Sequence, residues 1–197
     1  MRIAAATLDT FIDDIEALVA TVPDPRLVAA GVQARLPYLL ARPDFLAPQY
    51  REPDRNRYRA HLLAVAPSKK FSVLSMVWLP GQMTPIHDHI CWCVVGVLQG
   101  LECEQRYRLR ERADGRRWLT PVGEDDLYPC QVTALVPPEE NIHQVWNGGQ
   151  DVAISIHVYG EDISVYGSSI NQRFDDLPIC YDDTSGFPVA WRRKLAG

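Results

Sequence analysis

From Arg59 to about Gly160 the sequence breaks into short apolar runs separated by turn-forming residues, and this texture limits the possible folds more than any other feature. The runs are HLLAV (61–65), FSVLSMVWL (71–79), ICWCVVGVL (90–98), QVTALV (131–136) and VAISIHVY (152–159). Between them stand Ala66-Pro67-Ser68, Pro80-Gly81, Ala113-Asp114-Gly115, Pro137-Pro138 and Asn147-Gly148-Gly149. Many short strands punctuated in this way predict an antiparallel barrel or sandwich, so the chain is expected to be mainly β. The stretch before it is different. Leu8, Phe11, Ile12, Ile15, Leu18 and Val19 recur at helical spacing across residues 7–20, with Thr7 placed to cap them. Asp24-Pro25 has the form of an N-cap followed by proline at the first helical position, and the helix it opens is expected to end near Leu36-Pro37. Residues 43–58 read as a loop with one short helix. After Gly160 polar and turn residues alternate, which predicts an extended wrap over the barrel. The expected organisation is one domain over residues 1–197, with an N-terminal helical segment (1–58), a β-barrel core (59–160) and a C-terminal wrap (161–197).

Composition agrees with a packed domain and removes several function classes. Of 197 residues, 47% are hydrophobic and 23% charged, enough apolar material for a core. The net charge of -5 and the lack of a long basic run argue against nucleic acid or an anionic membrane as partner. Cys91, Cys93, Cys103, Cys130 and Cys180 are odd in number and form no CxxC pair, so neither a disulfide scaffold nor a zinc ribbon is expected. Asp9, Asp13, Asp14 and Glu16 interrupt the N-terminus too early for a signal-peptide core. No apolar run approaches the roughly 18 residues of a membrane helix. A cytoplasmic protein, monomeric or a small homo-oligomer, is the expectation.

Two stretches carry chemistry. In the first, Gly81 leads to His87-Asp88-His89, Cys93 and Gly100; the second is His143-Gln-Val-Trp-Asn147. On a strand, residues two apart point to the same face, so His87 and His89 can aim both imidazoles at one ion. His143 from a distant strand would complete a three-His set and leave coordination positions open. Imidazole suits Fe, Zn, Cu and Ni, so ligand type alone does not choose the metal. The spacing G-x5-H-x-H-x3-Cys-x6-G resembles the first cupin motif, and H-x3-N the end of the second, which implies a cupin double-stranded β-helix (jelly-roll barrel). Cys93 stands where that pattern usually has a glutamate ligand. This disfavours a two-His-one-carboxylate site, and Asp88 should point to the opposite strand face. A third pattern is Ser155-Ile-His157-Val-Tyr159, whose alternation puts Ser, His and Tyr on one face. Such a row is either a hydrogen-bonded relay that fixes the histidine tautomer or the polar outer face of an edge strand.

With these motifs the chain resembles the thiol dioxygenases, the cysteine dioxygenase and 3-mercaptopropionate dioxygenase family. The carriers are PIHDH (85–89), VLQG (97–100), NIHQVWN (141–147) and SIHVY (155–159). The resemblance implies Fe(II) held by His87, His89 and His143, with Ser155, His157 and Tyr159 beside it. It further implies a small thiol and O2 as substrates, the thiol leaving as a sulfinate. The family position that binds the substrate carboxylate corresponds to His61, counted by its distance from Phe71 and the HDH motif; the alternative is a histidine packed over the barrel. The arginine found shortly after the relay tyrosine in mercaptopropionate-type enzymes is absent, and Arg173 is the first available carboxylate partner. Cys93 takes the place of a cysteine that, in animal members, forms a thioether with the tyrosine matching Tyr159; the alternative is a small buried free thiol. Another metal-dependent cupin enzyme and a non-enzymatic ligand-binding cupin are the competing readings.

Overall fold

The structure, a computed structural model, describes residues 7–138 and 141–181. Helix α1 (Leu8–Thr21) begins at Thr7, whose hydroxyl accepts from the Thr10 amide at 3.2 Å while the Thr10 hydroxyl accepts from the Thr7 amide. Helix α2 (Pro25–Leu40) begins at Asp24, whose carboxylate accepts from the Arg26 amide at 2.9 Å. It runs one turn beyond the expected end, straight through Pro37. A proline inside a helix costs about 3 kcal/mol. Leu39 and Leu40 are buried in that last turn, and two such side chains contribute about 1.5–3 kcal/mol each, so packing outweighs the lost bond. Residues 43–58 contain two short 3-10 turns, Pro43–Phe45 and Pro48–Arg51, where one was expected.

Ten strands follow among the described residues: β1 (Arg59–Val65), β2 (Ser72–Trp78), β3 (His87–His89), β4 (Cys93–Gln99), β5 (Glu102–Glu111), β6 (Arg117–Leu127), β7 (Val132–Leu135), β8 (Ile142–Asn147), β9 (Ala153–Tyr159) and β10 (Ile170–Arg173), with the short helix α3 (Ile163–Tyr166) between the last two. They form two antiparallel five-stranded sheets, β1-β2-β9-β4-β7 and β10-β3-β8-β5-β6. The two sheets are the cupin double-stranded β-helix, and the protein is mainly β with helices at the N-terminal side. The apolar run 90–98 is not one strand: β3 and β4 separate at 90–92, where the Trp92 carbonyl accepts from the Gly160 amide. The β5–β6 hairpin carries no apolar run in the sequence because much of it faces solvent. Within the expected wrap, β10 pairs with β3; residues 182–197 of that wrap lie outside the described residues.

The main core lies between the helices and the outer face of the first sheet. Phe11, Ile15, Val32, Leu36 and Leu39 pack there with Val73, Val77, Val94, Ile154, Ile156 and Val158. Gly96 on β4 permits this approach. A Cβ there would come within 2.7 Å of a Leu40 methyl and 2.8 Å of one on Leu36. Both faces of β2 and β9 are therefore buried, one under helices and the other inside the barrel. No helix among the described residues is long and apolar enough to cross a membrane.

Candidate active site

The interior faces of β3 and β8 bring His87, His89 and His143 together. His87 pairs directly with His143 across the two strands, and His89 follows on the same face of β3. All three are buried, and one ligand atom from each lies within 4.8 Å of the others. Every ring is held from behind through Nδ1. His87 Nδ1 donates to the Pro85 carbonyl at 2.9 Å, His89 Nδ1 to Asn141 Oδ1 at 3.2 Å and His143 Nδ1 to Glu104 Oε1 at 2.6 Å. With the ring proton at Nδ1, each Nε2 presents a bare lone pair to the centre. Glu104 is itself fixed by Arg106, whose Nε and Nη2 reach Oε2 at 3.1 and 3.0 Å. Asp88 faces away and accepts from the Gln172 amide at 2.7 Å.

These residues fit a metal cation on two observations. His143 Nε2 is buried with no hydrogen-bond partner, which is costly for a polar atom unless a ligand meets it. The Nε2 atoms of His87 and His89 stand 3.2 Å apart with no proton between them, a separation that favours a shared cation over two opposed lone pairs. Burial lowers the pKa of all three imidazoles and keeps them neutral, as metal ligands must be. No carboxylate among the described residues joins the cluster.

The Ser155-His157-Tyr159 row lies on the interior face of β9, the central strand of its sheet, and not on an outer edge. Ser155 Oγ is 2.9 Å from His157 Nε2, and His157 Nδ1 is 3.0 Å from the Tyr159 hydroxyl. Trp78 donates its indole N–H to Ser155 Oγ at 3.2 Å. The Tyr159 ring centroid is 5.9 Å from that of His89, so the relay ends beside the histidine cluster. Burial pushes the His157 pKa down to about 3 and raises that of Tyr159, so both are neutral. A cavity of about 790 Å³ opens onto the three histidines, His157 and Tyr159. Leu74, Met76 and Trp78 line its apolar wall, and the exposed Arg57, Arg59 and Arg173 stand at its rim.

The description of cysteine dioxygenase type I matches residues 30–167, well over half of the chain. The chain belongs to the cysteine dioxygenase type I family. Among solved structures it is similar to a conserved double-stranded β-helix protein from Klebsiella pneumoniae, with 16% identity and TM-score 0.43 over 64% of this chain and 93% of that one. It is also similar to a cupin superfamily protein from Desulfitobacterium hafniense, with 15% identity and TM-score 0.40 over 61% and 87%.

In this cysteine dioxygenase family member the remaining sequence candidates separate. His61 is not among the residues that line the cavity. Its Nε2 meets the Glu52 carbonyl at 3.0 Å and its ring abuts Tyr50, on the far side of β1. The cause is a bulge between Leu62 and Ala64, which inserts one residue into β1 and flips the parity of everything before it. His61 thus pairs with Ser75, which faces the Tyr50 side, and Ala60 takes the interior place opposite Met76. Arg173, at the end of β10, pairs with His87 and does line the cavity. Cys93 is a buried free thiol directly across from Tyr159 in the β4–β9 pairing. Glu102, Glu104, Asn141 and Arg57 were not candidates from the sequence. Charged residues alternating along β5 look like a solvated face until the second sheet is seen to turn Glu102 and Glu104 inward. Asn141, two residues before His143, is the one that local spacing could have suggested.

Proposed function

We propose that this protein is an Fe(II)-dependent thiol dioxygenase that converts a small thiol carboxylate and O2 into the sulfinate, RSH + O2 giving RSO2H. Supporting the reading most directly is the meeting of three bare Nε2 atoms and the Tyr159 hydroxyl in one cavity that supplies no carboxylate ligand. His87, His89 and His143 would hold the iron. An iron held by these three histidines would supply the redox chemistry that joins a thiol to O2. Leu74, Met76 and Trp78 keep water from the sulfur. Tyr159 donates a hydrogen bond into the cavity and orients the reacting groups, with His157 and Ser155 holding the phenol. Arg173, with Arg57 beside it at the rim, attracts the substrate carboxylate into a charge-assisted pair. His61 has no part in this reading. The Cys93–Tyr159 pairing also supports a thioether between sulfur and ring, its two lost hydrogens reducing O2 to peroxide. Complete alkylation of Cys93 after unfolding would rule the thioether out.

The test of function is O2 consumption by the anaerobically Fe(II)-loaded protein with 3-mercaptopropionate, cysteine, cysteamine and mercaptosuccinate, with sulfinate detected by mass spectrometry. The expected result is sulfinate from a carboxylate-bearing thiol and little from cysteamine, which has no carboxylate. Full iron occupancy with no O2 uptake for any thiol would turn the reading toward another cupin chemistry or a binding role. Tyr159→Phe should retain iron and lower kcat by about tenfold to a hundredfold, the worth of a hydrogen bond to a charged centre.

A further inference from the structure

The strand that carries Arg173 has one residue too many for its partner. β10 is tied to the metal-ligand strand β3 at both ends: the Ile90 amide donates to the Ser169 carbonyl at 3.0 Å, and the Phe174 amide to the Ile86 carbonyl at 2.8 Å. Between these ties β3 has three residues, His87 to His89, and β10 has four, Ile170 to Arg173. The surplus is taken up as a bulge. Ile170 lies opposite His89 and Arg173 opposite His87, with the register shifting between them. Asp88 holds this bulge with its side chain. Its Oδ1 accepts from the Gln172 backbone amide at 2.7 Å, and the Asn171 side-chain amide nitrogen lies 3.3 Å from each carboxylate oxygen.

The bulge decides which side chain enters the cavity. Residues opposite each other across a ladder share a face, and one extra residue reverses the face of everything beyond it. In an unbroken register that began with Ile170 opposite His89, Gln172 would stand opposite His87 and turn inward, and Arg173 would turn out. The bulge exchanges the two. Ile170 and Arg173 line the cavity of the three histidines, whereas Gln172 and Phe174 line a separate cavity of about 560 Å³ together with Asp88. The bulge in β1 takes His61 out of the site; the one in β10 brings an arginine into it. The two end ties fix that β10 must bulge but not where. The Asp88 carboxylate on the Gln172 amide selects the place, because a bulge one residue further on would leave Gln172 facing in and that carboxylate without its donor.

We infer that Asp88 is a positioning residue: by holding the β10 bulge at Asn171-Gln172 it turns Arg173, and not Gln172, into the cavity, and so sets the preference for a carboxylate-bearing thiol. The preference rests on the reading of Arg173 as carboxylate partner in the proposed function. The strand register does not, and it is read on the metal-free protein, so the two can fail separately.

The experiment is NMR of backbone contacts between β3 and β10 in the metal-free protein. Wild type and Asp88→Asn, whose amide oxygen still accepts from Gln172, should both show position 173 opposite His87. Asp88→Ala should show position 172 there, in part or whole. In the iron-loaded form Asp88→Ala should raise KM for 3-mercaptopropionate roughly tenfold, the lower end of what a charged hydrogen bond contributes, with kcat unchanged and KM restored in Asp88→Asn. Combining Asp88→Ala with Arg173→Gln should do no more than Arg173→Gln alone, because both act through one guanidinium. A shifted register with KM unchanged would uphold the positioning of Arg173 and remove that arginine from carboxylate binding. Should Asp88→Ala not fold, the exchange of Gln172→Arg with Arg173→Gln decides with Asp88 intact. Position 173 should stay opposite His87 even though the arginine then points out. An unchanged register in Asp88→Ala, or a register in the exchange variant that follows the arginine inward, would overturn the inference.

Discussion

The two sheets face one interior but solve burial differently. The first sheet is covered on its outer side by α1 and α2, so β2 and β9 bury apolar side chains outward; inward, β9 carries the polar row and β2 presents Leu74, Met76 and Trp78. Among the described residues no helix lies over the second sheet, which packs a smaller apolar cluster of Ile86, Tyr107, Leu119 and Phe174; its hairpin β5–β6 is exposed along much of its length, and its charged residues are divided between solvent and interior. Stability is therefore concentrated on the helix side of the first sheet. The metal ligands sit on the second, where Glu104, Asn141 and a backbone carbonyl hold the rings through hydrogen bonds. The barrel separates what keeps the chain folded from what aims the histidines, and the two sets of residues should respond to different mutations.

The sharpest contrast comes from His87→Ala on the second sheet. It should abolish iron binding and activity while the metal-free fold survives, as metal analysis and circular dichroism will show; full activity would remove His87 from the ligand set. Leu36→Ala on α2 should do the opposite. It should cost about 2–5 kcal/mol in denaturant unfolding and leave iron stoichiometry in the folded fraction intact. Glu104→Gln tests the support behind His143. Iron affinity should fall about 10–100-fold in a competition titration with little change in unfolding midpoint for the metal-free form. An equal loss of stability would mean that Glu104 serves the fold more than the ligand. The smallest effect belongs to Thr7→Ala, which removes the α1 cap for about 1 kcal/mol and should be invisible to iron binding.

Much of this arrangement is legible in the sequence where the signal is local. The His87-x-His89 spacing and the Ser155–Tyr159 alternation need only the period of a strand, and Thr7 and Asp24 need only the chemistry of a cap. What cannot be read is decided across strands. A bulge in β1 reverses the face of His61, and nothing near His61 announces it. Pro37 reads as a stop until the buried places of Leu39 and Leu40 are known. Glu104 reads as surface charge because its partner His143 lies 39 positions away. The break between β3 and β4 at residues 90–92 depends on Gly160, whose amide binds the Trp92 carbonyl and which has no side chain to occupy the place of the Trp92 indole.

The central claim is that the three-histidine centre and Tyr159 together deliver both atoms of O2 to one sulfur. Single-turnover reaction of the Fe(II)-loaded protein with a mercaptocarboxylate under heavy-isotope O2 tests it most directly, with the product read by mass spectrometry. The account predicts a sulfinate bearing two labelled oxygens, in proportion to bound iron and lost with His87→Ala. A product with one labelled oxygen or a disulfide, or label incorporation that persists in His87→Ala, would contradict it.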